Sequence, residues 1–76
     1  MLDPHRLNVF RSVMASGSIQ AAADNLRMTP SAVSQHMAAL QRQPGLDLFD
    51  RVGRGIEPTP AAESLLAHAE DVLRQW

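Results

Sequence analysis

Seventy-six residues, 45% of them hydrophobic, carry a net charge of −1 and describe one small folded domain with a modest core rather than a disordered tail. No apolar run approaches membrane-spanning length, Asp3, Pro4, His5 and Arg6 interrupt any signal-peptide core, and the absence of cysteine excludes disulfides and thiolate metal sites. A cytoplasmic location, with no membrane partner, follows by default.

The spacing predicts a first helix opened by Asp3-Pro4, as N-cap and first-turn proline, and closed by Gly17. Leu7, Phe10 and Met14, with Val13 beside them, form its apolar stripe. Ser18 caps a second helix whose buried side is Ile19, Ala22, Ala23 and Leu26, and the alanines at 21–23 let another backbone approach closely. Ser18 also stands at a helix N-terminus, where N–H groups and the dipole suit a DNA phosphate; that role is compatible with plain capping. Asn25 to Met28 is expected as a tight turn, followed by Thr29 as cap and Pro30 as first residue of a third helix that stops before Pro44-Gly45. Residues 18–42 therefore read as a helix-turn-helix, whose second helix can enter a DNA major groove.

Drawn at ~100° per residue, Val33, Met37 and Leu40 make the core stripe of the third helix. Ser31, Gln35, Ala38 and Arg42 fall opposite, flanked by Ser34, with no acid and no bulky apolar group among them. Serine and glutamine can hydrogen-bond base edges and arginine can meet phosphate or guanine, although the same face would equally suit water. His36 lies at the edge of the core stripe, as a packing or phosphate-contacting residue rather than a metal ligand. His5, His36 and His68 are spread over three helices, so neither a metal site nor a catalytic set follows from their spacing, and the chain reads as a non-enzyme without cofactors.

Residues 46–58 predict a two-stranded wing anchored by Leu46, Leu48 and Phe49, with Arg51 at its base and Arg54 between glycines at its tip. An arginine so placed beside a helix-turn-helix suits the DNA backbone or minor groove. Thr59-Pro60 repeats the capping logic and starts a fourth helix that runs without a breaker to Trp76. Its stripe of Leu65, Ala69, Val72 and Trp76, joined by Leu66 and Leu73, could pack on the first helix or on the same helix of a second chain. The terminal tryptophan favours a homodimer, and the pattern stops in mid-stripe, as if cut from something longer. These lengths divide the chain into a DNA-binding unit at 1–58 and a linker or dimerisation helix at 59–76.

Charge is unevenly placed. Arg27, Arg42, Arg51 and Arg54 face only Asp47 and Asp50 in the interval they span, whereas Glu57, Glu63, Glu70 and Asp71 follow with Arg74 alone. The acids thus gather away from the expected contact face, which permits nucleic-acid binding despite the net charge.

Taken together, the chain resembles the N-terminal DNA-binding domain of LysR-type transcriptional regulators over nearly its whole length. The resemblance rests on Leu7 and Phe10; on Gly17-Ser18-Ile19, Ala22-Ala23 and Leu26; and on Thr29-Pro30-Ser31-Ala32-Val33-Ser34-Gln35-His36. It continues through Leu40, Gly45-Leu46, Leu48-Phe49-Asp50-Arg51, Gly53-Arg54 and Thr59-Pro60-Ala61-Ala62. It implies a mainly α winged helix-turn-helix with a long linker helix that pairs two subunits antiparallel over pseudo-palindromic operator half-sites. It also implies an effector-binding domain beyond this chain. Thr29, Pro30, Ser31, Ser34 and Gln35 would then approach bases or phosphates, and Arg54 would serve the wing. Many relatives carry arginine where Gln35 stands and glycine where Ala62 stands, so the base preferred at Gln35 does not transfer. Another winged-helix regulator family fits the Leu48-to-Arg54 pattern less well. A protein-interaction module using the last helix is the alternative from a different class.

Overall fold

The computed structural model describes residues 3–42, 47–52 and 55–75, with the backbone alone at 50–52, 55 and 56. Three helices come first: α1 (Pro4–Ser16), α2 (Ile19–Leu26) and α3 (Pro30–Gln41). An antiparallel hairpin of β1 (Phe49–Val52) and β2 (Gly55–Pro58) follows, pairing Phe49 with Pro58 and Val52 with Gly55, and α4 (Pro60–Arg74) completes the order.

Three of the four helices begin as the cap–proline pairs require. The Asp3 carboxylate accepts from the His5 N–H at 3.0 Å, Thr29 Oγ1 from the Ala32 N–H at 3.1 Å, and Thr59 Oγ1 from the Ala62 N–H at 3.3 Å. Each satisfies one orphan donor of a first turn, where proline needs none. Ser18 does the same for α2 through the Ala21 N–H at 3.0 Å. Gly17 closes α1 at φ 82°, its N–H donating to Val13 O at 2.9 Å.

Helix α1 is the centre, packing against α2, α3 and α4 in turn. Its Leu7, Val9, Phe10 and Val13 are fully enclosed, with Ala22 and Ala23 of α2 and Val33, Met37 and Leu40 of α3 closing around them. The alanines bring α2 in close. Phe49 reaches back from β1 to place its ring 6.1 Å from that of Phe10, tilted by 48°. Leu48 is sealed in the core, and its N–H donates to Gln41 Oε1 at 3.3 Å, tying the hairpin's approach to the end of α3.

Two expectations are corrected here. The turn is shorter than Asn25–Met28: α2 continues through Leu26, and Arg27 takes the left-handed conformation at φ 56° as its C-cap. Leu26 packs on the core, and that contact holds Asn25 in helix despite its weak propensity. On α4, Leu65 and Ala69 are buried with Ala62 in the domain's own core, so they are not available as a seam to a second chain. Leu66, Val72 and Leu73 are half-buried at its edge. Gly45, Leu46, Arg54 and Trp76 lie outside the described residues.

Candidate nucleic-acid interface

The buried stripe of α3 fixes which way the rest of that helix points. With Val33, Met37 and Leu40 inward, Thr29, Pro30, Ser31, Ser34, Gln35, Ala38 and Arg42 are all exposed. This is the short, polar, acid-free face expected from the periodicity. Thr29 uses its hydroxyl oxygen as a cap, and Arg42, at the other end, closes the helix through its N–H to Ala38 O at 3.2 Å. Arg27 projects from the turn before the helix and is exposed. Ser18 is half-buried and its oxygen is occupied by the cap. Arg51 lies in β1 at a position where the backbone alone is described, and Arg54 lies outside the described residues, so the wing's arginines add no side-chain geometry.

Packing assembles a group that spacing did not reveal. Arg6 of α1 lies against α3 and donates from Nε to His36 Nδ1 at 3.2 Å. The His5 ring stands edge-on to His36 with centroids 5.2 Å apart, so two histidines expected on separate helices are neighbours. Arg6, Gln35, His36 and Arg42, with Ala32 and Ala39 as floor, line one open cleft. Burial, and then the positive charges of Arg6 and His5, lower the His36 pKa from its ordinary value of 6.5, with Asp3 opposing. A neutral imidazole is the form that accepts the Arg6 hydrogen bond. Arg6 carried no local signal, because thirty residues separate it from its partner and only the α1–α3 crossing joins them.

Among the described residues the sole ion pair is the exposed Arg74–Asp71 contact at 3.5 Å on α4, so the arginines around α3 are not neutralised by a described carboxylate. No group of three potential metal ligands occurs among those residues. No described helix is long and apolar enough to cross a membrane.

These features define a winged helix-turn-helix, and comparison with known proteins specifies the class. Residues 4–63 match the model of the bacterial regulatory helix-turn-helix proteins of the lysR family. An uncharacterised HTH-type transcriptional regulator of Azotobacter vinelandii, from the ibpB-leuC intergenic region, is 40% identical over 72 residues, covering 95% of this chain and 50% of that protein. The HTH-type transcriptional activator AllS of Klebsiella pneumoniae is 40% identical over 76 residues, covering 100% of this chain and 27% of that protein. The crystal structure of the CbnR DNA-binding domain in complex with DNA superposes with a TM-score of 0.90 at 31% identity, covering 97% of this chain and 85% of that one.

The chain belongs to the LysR family and has the winged helix-turn-helix fold of its DNA-binding domains. It spans half the length of the Azotobacter relative and about a quarter of the Klebsiella one.

Proposed function

We propose that this domain reads operator DNA for a transcriptional regulator, with α3 in the major groove, the β1–β2 hairpin on the adjacent minor groove, and two copies joined through α4 over paired half-sites. The observation that carries the reading is the exposed Ser31–Ser34–Gln35–Ala38–Arg42 face, held outward by three buried residues and free of acids. A major groove admits an α-helix, and the side chains of this face offer donors and acceptors that can meet base edges. The likeness to the CbnR DNA-binding domain, solved in complex with DNA, supports DNA binding by this fold. Thr29, Pro30 and Ser31 would meet the DNA at the start of α3, Ser18 and Arg27 would contact phosphates beside it, and Arg51 and Arg54 would act from the wing. The regulator would work at the cytoplasmic nucleoid, and a small-molecule effector would act through residues beyond this chain.

Gln35 is the residue to test. It is exposed in the first half of α3 and can pair with adenine N6 and N7 in a bidentate contact. After a binding sequence is selected from a random duplex pool, Gln35→Ala should weaken that sequence by roughly 1–3 kcal/mol and scrambled DNA far less. Equal losses on both would reduce Gln35 to a backbone contact and undercut the orientation of α3.

A further inference from the structure

The cleft between α1 and α3 carries a group that the recognition-helix reading does not use. Arg6 is half-buried on α1, yet its side chain is not committed to the core. Its Nε–H donates to His36 Nδ1 at 3.2 Å, and that is its one hydrogen bond among the described residues. A guanidinium has five N–H donors in a rigid planar fork. Fixing Nε leaves the four terminal N–H groups to act as a set in the cleft that Arg6 lines with Gln35 and Arg42. Among the described residues no carboxylate lines that cleft. Asp3, the acid that acts on His36, has its Oδ1 engaged by the His5 N–H at 3.0 Å. Two guanidiniums and an amide thus surround an open concavity without a described acid, beside the helix read as entering a groove.

We infer that Arg6 is a phosphate-binding residue contributed by α1, and that His36 is a positioning residue which holds the Arg6 fork toward the DNA backbone strand passing the Gln35–Arg42 side of α3. The inference rests on the major-groove reading of α3 and extends it to a second helix. The arrangement is economical in entropy: a free arginine loses rotamer freedom on meeting phosphate, whereas Arg6 is already oriented before DNA arrives. Neutral imidazole is well suited as the clamp, since it accepts from Nε without cancelling the charge offered to phosphate. A carboxylate in its place would hold Arg6 equally well and neutralise it.

The test is equilibrium binding of the 76-residue chain to a selected duplex and a scrambled one across a salt series. Arg6→Ala should lower affinity for both duplexes alike, by about tenfold at low salt, and reduce the salt slope by about one unit. Arg6→Gln, which keeps length and a donor but not the charge, should lose the same slope and covers the case in which alanine disturbs the fold. His36→Leu should weaken binding in the Arg6 chain but not in the Arg6→Ala chain, because it acts through Arg6. His36→Asn, whose Oδ1 replaces Nδ1 as acceptor, should restore most of the loss. An unchanged slope in both Arg6 variants, with Gln35→Ala still discriminating the duplexes, would overturn the inference and leave the reading of α3 standing. A His36→Leu effect that persists without Arg6 would overturn the positioning role. Failure of Gln35→Ala to discriminate would remove the reading itself and the inference with it.

Discussion

Arg27 sits at φ 56° with its N–H donating to Ala23 and Asp24 carbonyls, so the turn of the helix-turn-helix is closed by a residue with a side chain where glycine is usual. The left-handed conformation costs a non-glycine residue roughly 1–2 kcal/mol, and glycine's extra freedom in the unfolded chain returns part of any relief. Arg27→Gly should therefore stabilise the domain by a few tenths to about 1 kcal/mol, seen as a melting temperature higher by a few degrees. A lower one would mean that the arginine side chain stabilises the turn. His36 gives a pH dependence. Its folded pKa lies below 6.5 because burial, then Arg6 and His5, disfavour the imidazolium, while Asp3 favours it. The unfolded chain thus binds the proton more readily, and the stability that neutral His36 supports is complete above about pH 6.5 and declines as pH falls below it. Melting of the wild type and His36→Asn at pH 7.5 and 5.5 should show the wild type losing more of its stability between the two. Parallel losses would assign the acid sensitivity to other groups.

At the scale of elements, the helix starts were legible because their cause is local: a capping oxygen and a proline within one turn. Thr59 does more than its sequence context reveals. Its hydroxyl also donates to the Asp47 carbonyl, and its N–H donates to Leu48 O at 3.0 Å, so one residue caps α4 and fastens the entry to the hairpin. Asp47 is twelve residues away, beyond the reach of any capping pattern. Loss of an N-cap costs about 0.5–2 kcal/mol. Thr59→Val should fall at the top of that range in urea unfolding and Thr29→Val, which loses a cap alone, nearer the bottom. Equal costs would show that the Asp47 bond adds nothing. The stripe of α4 was legible as a stripe but not in its destination, because packing on α1 and packing on a second chain impose the same 3.6-residue period. Only the fold shows that Leu65 and Ala69 are enclosed within the chain. Likewise the outward face of α3 followed from periodicity, whereas Arg6 joined it through a helix crossing that no period encodes.

For the whole molecule, distribution outweighs the net charge of −1: described carboxylates pair with arginine only on α4, while the face of α3 carries none. The proposed dimer now depends on the half-buried flank of Leu66 and Leu73 rather than on Leu65. Leu66→Glu with Leu73→Glu should give a folded monomer in sedimentation that binds a single half-site normally and a two-half-site operator poorly. Leu65→Glu should instead unfold the domain, since a charge would be buried without a partner. A wild-type chain that stays monomeric on two-half-site DNA would leave α4 as a support for α1 alone. The most direct test of the central claim is the affinity of the chain for its selected duplex, followed from low to physiological salt alongside Gln35→Ala. A face that meets several phosphates while reading bases should give a log–log salt slope steeper than about −3. The glutamine variant should keep that slope and lose the preference for the selected sequence. A slope near zero, or a preference that survives loss of Gln35 undiminished, would contradict the account.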